Sequence, residues 1–289
     1  MKLFKGYYVK CVGQKDSVAV IFGRQVYKKE KSSFIQIITK ENSYSVTFAN
    51  AQGKKTDKFI FRKNRLEAKV DKNFANKNEM FLDIDSPKLT AKGRVAFGEF
   101  AKIKYDAMGP LKFLPLMECR HTIVSMRHTI AGQIIINGQV YDFDGGIGYI
   151  EGDRGRSFPT KYFWSQCNGE GASVSASAAV IPYMGISFMG TICVIRYNGA
   201  EHRFASYLGA RVKQMESKRL LIEQRKKQLE IEVLDDIVGQ PLLAPVSGRM
   251  SRTIEESLVR TIRYKFVLGD KVLFDFISDR ASHEYSTIK

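Results

Sequence analysis

The stretch Ile134-Ile135-Ile136-Asn137-Gly138-Gln139-Val140-Tyr141 carries the clearest fold signal in this chain of 289 residues. An Asn-Gly pair between two β-branched or aromatic runs is the strongest short-range sign of a hairpin, because both residues tolerate the positive φ angles of a two-residue turn. The stretch therefore predicts two neighbouring antiparallel strands.

The same period of two residues continues outward along most of the chain. Residues 44–48 alternate cleanly between apolar or aromatic side chains and small polar ones. Residues 34–37 and 59–62 alternate more loosely. Many short strands separated by turn residues are typical of antiparallel barrels and sandwiches. The sequence therefore predicts an all-β fold with little helix. The further strand candidates are 6–12, 17–23, 66–70, 79–84, 89–100, 119–136, 139–143, 162–168, 201–208, 220–223, 229–234, 258–268 and 271–278.

Two segments allow a helix as well as strands. Residues 212–234 are rich in Lys, Glu, Gln and Leu, which favours a helix, but residues 229–233 alternate, and we predict strands. Residues 171–195 contain no charged side chain and are long enough for a membrane helix. Pro182 and the alternating serines before it instead predict two strands, joined by a turn at 182–185.

Composition bounds the class of protein. With 44% hydrophobic and 11% aromatic residues, the chain can build a substantial core. Its four cysteines are scattered without CxxC spacing, which predicts reduced thiols and a cytoplasmic protein. The net charge of +16 lies mostly in residues 1–145 and suits an anionic membrane surface, such as the inner membrane face, or nucleic acid. A solvated basic surface explains it equally well, and nucleic-acid binding is disfavoured because no aromatic-basic motif occurs.

Residues 148–168 contain most of the side chains that could take part in catalysis or ligand binding. Glu151 and Asp153 stand two apart with arginines beside them, and an aromatic run with the sole tryptophan follows. On a strand, Tyr162, Trp164, Gln166 and Asn168 share one face. An acid, an aromatic wall and two amides can form a pocket for a large apolar ligand with a polar head. A structural corner with ion pairs and one buried aromatic face is the alternative.

This stretch resembles the signature of the tocopherol cyclase family, in which Glu-Lys-x-Trp-Gly leads into Phe-Pro-x-x-Trp-x-Trp-x-Gln-x-Asn. Gly152 and Arg154 depart from the pattern, since they stand where the family has lysine and tryptophan. Weaker matches occur at residues 6–10, 109–121, 243–256 and 282–284. The matching positions are Glu151, Gly155, Phe158, Pro159, Trp164, Gln166 and Asn168, with Tyr162 at the first aromatic position of the second half.

The glycines of Asp144-Gly145-Gly146-Ile147-Gly148 permit an irregular crossing of the backbone and predict a domain boundary near 145–150. The resemblance implies two lipocalin-like β-barrel or sandwich domains, residues 1–145 and 146–289, with segment 148–168 at their junction. It also implies cofactor-free chemistry, in which a proton is added to an alkene carbon of a prenyl tail and a phenol oxygen attacks the resulting cation. Such a site needs a protonated acid in apolar surroundings and aromatic faces that stabilise the cation.

Candidate roles follow from the resemblance and from spacing. Glu151 or Asp153 is the expected acid, with Glu151 preferred because it stands at the matching family position. His121 and His128 are alternative acids or bases, and their spacing of seven predicts opposite strand faces. Cys119 shares a face with His121, but one such pair predicts no zinc site. The predicted ligand-binding residues are Arg154, which suits an anionic head group, and Tyr8, Phe158, Tyr162, Trp164, Gln166 and Asn168.

Three functions remain open from the sequence. The first is an enzyme that cyclises or isomerises a prenylated or lipidic small molecule without a cofactor. The second is a lipid-binding protein that uses the same pocket without chemistry, and the third is a basic nucleic-acid-binding β protein. The chain has no glycine-rich nucleotide loop and no Gly-x-Ser-x-Gly elbow. The sequence assigns no role to Glu255, Glu256, His283 or Glu284.

Overall fold

The computed structural model describes residues 2–49, 58–59 and 65–287. These residues form 22 strands and two short 3-10 helices, Gly109–Phe113 and Ser206–Leu208, which confirms the predicted all-β fold class. The strand predicted at 59–62 lies largely outside the described residues. The strands are β1 Lys2–Val12, β2 Ser17–Tyr27, β3 Glu30–Ile38, β4 Ser43–Ala49, β5 Lys58–Phe59, β6 Glu67–Val70, β7 Asn73–Asn76, β8 Glu79–Ser86, β9 Leu89–Phe97, β10 Cys119–Ile136, β11 Gln139–Asp142, β12 Gly146–Gly155, β13 Lys161–Gly169, β14 Ala172–Tyr183, β15 Ile186–Tyr197, β16 Ala200–Ala205, β17 Arg211–Glu216, β18 Arg219–Gln224, β19 Lys227–Val233, β20 Gln240–Val246, β21 Arg249–Leu268 and β22 Lys271–Thr287.

Strands β1 to β12 form one antiparallel sheet. Their order is β4-β3-β2-β1-β12-β10-β9-β8-β7-β6-β5, with β11 beside β10. The sheet curls so that β2 and β3 contact β6 and β4 contacts β9. The enclosed face carries the first core, which includes Tyr7, Phe22, Ile35 and Ile150. This lipocalin-like arrangement follows from long strands whose alternate residues are apolar.

Strands β13 to β22 form the second antiparallel sheet. Their order is β16-β15-β14-β13-β22-β21-β19-β18-β17, with β20 beside β21. Phe163, Cys167, Tyr264 and Phe266 belong to its apolar core. Residues 212–234, where a helix competed with strands in the sequence, fold as β17, β18 and β19.

By compactness the chain divides into two units. The first unit comprises Met1–Ile103, Cys119–Phe158 and Leu242–Thr253, and the second comprises Lys104–Glu118, Pro159–Pro241 and Ile254–Lys289. The domain boundary near 145–150 expected from the glycines stays a prediction.

Two hairpins form as the sequence predicts. Asn137 and Gly138 adopt φ angles of 48° and 87° between the paired residues Ile136 and Gln139. The uncharged stretch 171–195 is the hairpin β14–β15, and it turns at Met184 and Gly185 with φ angles of 49° and 84°. Among the described residues, none of the helices has the length and apolar character needed to cross a membrane.

The irregular crossing predicted at 144–148 is confined to a turn at Asp144 and Gly145, and a strand begins at Gly146. This strand is the regular β12, which pairs with β1 on one side and with β10 on the other. A Cβ atom on Gly148 would lie 2.2 Å from Nε2 of His128, so glycine here permits close approach of a side chain rather than an irregular backbone. Strands β7 and β20 also escaped the sequence analysis, since one is short and rich in Asn and the other contains two prolines.

Candidate active site

The two faces of strand β12 carry different kinds of side chain. Ile150 points into the first core, whereas Tyr149, Glu151 and Asp153 alternate with it and lie on the opposite face. Tyr149 is 1% exposed and Glu151 is 6% exposed, so this second face of the strand is also buried. A carboxylate at such a position needs hydrogen-bond partners, because burying an unpaired charge is costly.

The neighbouring strands bring polar residues to the same face. In β10, His121 stands opposite Asp153 and Ile123 stands opposite Glu151. In β1, Tyr8 stands opposite Glu151, while Lys10 is buried opposite Tyr149. Directly opposed residues of antiparallel strands share a face, so these side chains surround the carboxylates.

Four of these residues, Tyr149, Glu151, Asp153 and His121, form what we call the acid–base cluster. Nδ1 of His121 lies 3.1 Å from Oδ1 of Asp153, and Nε2 lies 3.6 Å from Oε2 of Glu151. The Tyr149 hydroxyl donates to the same Oε2 at 2.5 Å. Cys119 is close by, with Sγ 3.6 Å from Oδ1 of Asp153.

This geometry permits proton transfer along a defined line. When Nδ1–H of His121 donates to Asp153, the Nε2 lone pair faces Glu151, and a proton can occupy either of these two partners. A base oriented by a carboxylate on its far side is the arrangement by which proteins control proton transfer to and from a reacting group. The cluster therefore combines two carboxyl groups with an oriented imidazole, which are candidate proton donors and acceptors.

The same atoms also form a potential metal site. One ligand atom from each of His121, Glu151 and Asp153 lies within 4.8 Å of the other two. An imidazole nitrogen and two carboxylate oxygens suit a divalent transition metal such as Zn²⁺. A bound metal would occupy the lone pairs of the His121 imidazole and the two carboxylates, so metal binding and proton transfer through these atoms exclude each other.

Because side chains alternate between the two faces of a strand, Arg154 lies on the opposite face from both carboxylates. It is exposed on the opposite face of β12, where it stands in register with Lys5. The carboxylates instead face His121. Gly152, the other residue that departs from the signature, also lies on this opposite face, in register with the core residue Tyr7.

His128 lies away from the acid–base cluster. It faces the first core, where it contacts the rings of Phe97 and Phe100, and its Nδ1 lies 2.9 Å from Oγ of Ser125. Burial lowers the pKa of His128 to about 4, so the ring is neutral at physiological pH. The two histidines thus point to opposite faces of β10, as their spacing predicts.

The other predicted residues of the first unit extend the buried face of the cluster. Phe158 packs edge-on against Phe4, with ring centroids 5.4 Å apart. Phe4 and Tyr8 alternate along β1 and therefore lie on the face that carries Glu151. Aromatic rings thus accompany the acid within this unit.

In the second unit, strand β13 has the two faces that its sequence predicts. Phe163 and Cys167 enter the second core, and the predicted ligand residues Tyr162, Trp164 and Gln166 lie on the other face together with Asn168. Ser177, Ser175 and Ser173 of β14 stand opposite Trp164, Gln166 and Asn168, in that order. Trp164 is only 6% exposed.

The sequence left four residues of the second unit without a role, and the structure now places them. Glu284 accepts a hydrogen bond of 2.8 Å from the Tyr162 hydroxyl, and the fully buried Glu256 stands opposite Glu284. Glu255 is exposed. His283 points to the core side, where its Nδ1 lies 3.1 Å from the Trp164 carbonyl oxygen. Burial lowers the pKa of His283 to about 4.

Sequence reasoning missed two residues of the first unit that accompany the cluster, Tyr149 and Lys10. Lys10 alternates with the core residues Val9 and Cys11, and Tyr149 stands next to the core residue Ile150, so alternation with core residues was the available signal. For Tyr149 the signal was hidden because the surrounding glycines read as a turn.

The profile of the tocopherol cyclase-like family matches residues 86–284, which include β10, β12 and the predicted signature. No curated protein matches the chain. Among solved structures, kievitone hydratase from Nectria haematococca is 11% identical and has a TM-score of 0.54, with 99% of this chain and 89% of that chain covered.

Two further structures share the fold. CghA, solved with Sch210972, is 8% identical with a TM-score of 0.58 and 99% and 89% coverage of the two chains. An AttH-type protein from Nitrosomonas europaea is 9% identical with a TM-score of 0.61 and 100% and 94% coverage. The structural likeness supports the fold, and the profile covers well over half of the sequence. The chain therefore belongs to the tocopherol cyclase-like family.

Proposed function

We propose that this protein is a cofactor-free acid–base catalyst that cyclises or isomerises a prenylated or otherwise lipidic small molecule. The observation that carries the proposal is the buried contact of Glu151 with both His121 and Tyr149. A carboxyl group with a histidine within proton-transfer reach can act first as an acid and then as a base. Membership of the tocopherol cyclase-like family supports this reaction class.

In the proposed reaction, Glu151 gives its proton to an alkene carbon of the substrate. The resulting tertiary cation is attacked by a hydroxyl oxygen of the same molecule, and a ring closes. The hydroxyl proton then returns to the acid–base cluster, so the product is an isomer of the substrate and the protein is unchanged. The rings of Tyr8 and Tyr149 can stabilise the intermediate cation through their π faces.

In this proposal, the other cluster residues position Glu151 and exchange a proton with it. Asp153 orients the imidazole of His121 through Nδ1, and Nε2 passes a proton to or from Oε2 of Glu151. The Tyr149 hydroxyl fixes the position of this oxygen. Pre-positioned groups of this kind lower the barrier because little reorganisation is needed during the reaction.

The two departures from the family signature do not alter this face of β12. Gly152 and Arg154 both lie on the opposite side of the strand from Glu151. Their replacement of lysine and tryptophan therefore leaves the proposed acid and its hydrogen-bond partners in place. Any effect of these two substitutions on ligand binding would concern the core-facing side of the sheet.

A non-catalytic lipid carrier is the second candidate, and the Trp164 face of β13 favours it. This buried face combines an indole ring with two amides and a row of serines, which suits a ligand with an apolar body and a polar head. It needs no proton transfer.

Incubation with prenyl-quinol substrates, followed by chromatography and mass spectrometry, separates these functions. A product of unchanged mass and altered retention supports cyclisation or isomerisation. A product heavier by one water supports acid-initiated hydration, the reaction type in the name of one structural neighbour. Saturable binding with no product would reject catalysis for these substrates and support the carrier function.

A further inference from the structure

A row of basic side chains crosses four neighbouring strands of the first unit. Arg24 of β2 stands opposite Lys5 of β1, Lys5 stands opposite Arg154 of β12, and Arg154 stands opposite Arg120 of β10. We call these four residues the basic row. Because opposed residues share a face, all four lie on the same side of the sheet.

The basic row lies on the core-facing side of the sheet, not on the side of the acid–base cluster. Lys5 alternates with Tyr7, Arg24 with Phe22, and both of these aromatic residues belong to the first core. The row thus follows the last layer of the first core, and the next pair on the same face is Leu3 and the buried Val26. Lys5, Arg24 and Arg120 are half-buried there, and Arg154 is exposed.

Like charges directly opposite each other destabilise a sheet, so this arrangement calls for compensation. The pKa of Lys5 is lowered, first by burial and then by the charges of Arg24 and Arg154. Within the described part of the chain, Arg24 and Arg154 form no ion pair, and the buried Nε of Arg24 has no hydrogen-bond partner.

Glu67 does not supply the missing negative charge. The charges of Glu67 and Arg154 both affect the pKa of Tyr7, so Glu67 lies in the same region of the unit as Arg154. Glu67 is already paired with Lys58 and Arg65, and these two cations lower its pKa. The described region around Tyr7 therefore contains more cations than carboxylates.

We propose that the basic row is a binding site for an oxyanion, a phosphate or carboxylate group, at the end of the core of the first unit. Guanidinium groups bind such oxygens with two parallel hydrogen bonds, and Arg24 and Arg154 on either side of Lys5 can approach one anion from two directions. The apolar layer beside the row suits the tail of a lipid whose head group is the anion. This site is separate from the proposed catalytic face.

The test uses the full-length chain and calorimetric titration with three probes: inorganic pyrophosphate, oleate below its micelle concentration, and lysophosphatidic acid. Binding of pyrophosphate identifies a free-phosphate site. Binding of oleate or lysophosphatidic acid without pyrophosphate identifies a lipid head group. The absence of binding by all three probes would overturn the proposal.

The paired substitution Arg24→Gln with Arg154→Gln should weaken binding of the active probe at least about 10-fold, since each arginine supplies charge-assisted hydrogen bonds. It should also raise the thermal unfolding temperature of the ligand-free protein, because it removes repulsion. The control Lys88→Gln removes an exposed cation from a turn of the same unit and should change neither. Unaltered affinity, or a lower unfolding temperature, would show that the arginines serve packing and would reject the site.

Discussion

Tyr149 and Glu151 stand two residues apart on one strand, and the hydroxyl of the first donates a hydrogen bond of 2.5 Å to Oε2 of the second. The same oxygen lies 3.6 Å from Nε2 of His121. A single carboxylate oxygen therefore meets a fixed donor and a titratable base, both in surroundings with little water. This relationship makes Glu151 the residue whose replacement tests the proposed chemistry most directly.

Glu151→Gln should lower turnover of a prenyl-quinol substrate by roughly 100-fold or more, because the amide keeps the shape but cannot deliver a proton. Ligand affinity should change little, since the side chain can still accept a hydrogen bond from Tyr149. Steady-state rates and binding titrations measure the two effects separately. Asp153→Asn should have the smaller effect, because Asp153 acts through His121.

Glu170→Gln is the matched control, since Glu170 is exposed in a turn of the second unit. It should retain full turnover. Equal activity of Glu151→Gln and the unmodified protein, with equal thermal stability, would remove Glu151 from the mechanism.

Dialysis against a chelator should leave turnover unchanged, because the proposed reaction uses protons alone. Added Zn²⁺ should inhibit, since it competes for the nitrogen and oxygen atoms of His121, Glu151 and Asp153. The affinity for Zn²⁺ should fall in Glu151→Gln, as judged by direct zinc titration. Loss of activity on dialysis with recovery on adding metal would instead identify a metalloenzyme.

Trp164 should report ligand binding by its fluorescence. It is the sole tryptophan, it is buried, and it lies on the face of β13 that carries Gln166 and Asn168. A bound prenyl chain should shift its emission, because the indole senses the polarity of its surroundings. If calorimetry shows binding of a lipid that leaves the emission spectrum unchanged, the ligand lies elsewhere.

Stability should fall as the pH is lowered from about 6.5 to about 4. Burial lowers the pKa of both His128 and His283 to about 4 in the folded protein, from an ordinary value of 6.5. In this window the unfolded chain binds protons that the folded protein does not, so acid favours unfolding. Above pH 6.5 these two groups should contribute no slope.

Urea unfolding at several pH values measures this effect. His128→Gln and His283→Gln should each flatten the dependence by up to one proton relative to the unmodified protein. Carboxylates contribute equally to both curves, so the difference isolates the histidine. An identical slope in the variant would show that the replaced ring is accessible to protons when folded.

Gly148→Ala should destabilise the protein by roughly 1–3 kcal/mol, because the new Cβ would lie 2.2 Å from Nε2 of His128. Combination with His128→Ala should remove most of this additional loss. Gly190→Ala is the control, since its Cβ would lie 2.9 Å from a side-chain carbon of Ile181, which can move. Denaturant unfolding of Gly148→Ala, His128→Ala, their combination and Gly190→Ala tests the coupling.

Local patterns in the sequence were sufficient to predict several features. The Asn137-Gly138 turn, the uncharged hairpin and the two faces of β13 all follow from residues adjacent in the chain. Turn chemistry and alternation act over a few residues, so one sequence reveals them. The family signature extended this prediction to Glu151 and Trp164.

The cluster itself could not be predicted from one sequence. His121 and Asp153 meet because β10 and β12 pair in one register, and β10 contains irregularities between Ile123 and His128 that change which residues stand opposite. Such shifts arise from packing across the sheet and have no local sequence sign. The glycines of β12 added a second obstacle, because they indicated a turn where the structure has a central strand.

The alternation of β12 places the core residue Ile150 on one face and the proposed acid Glu151 on the other. Under the proposed function, substitutions at Tyr149, Glu151 and Asp153 should alter proton transfer, whereas substitutions at Gly148 and Ile150 should first lower the free energy of unfolding. A register slip of one residue would exchange the two sets and lose both. Activity and urea-unfolding measurements on variants of both sets would test this division.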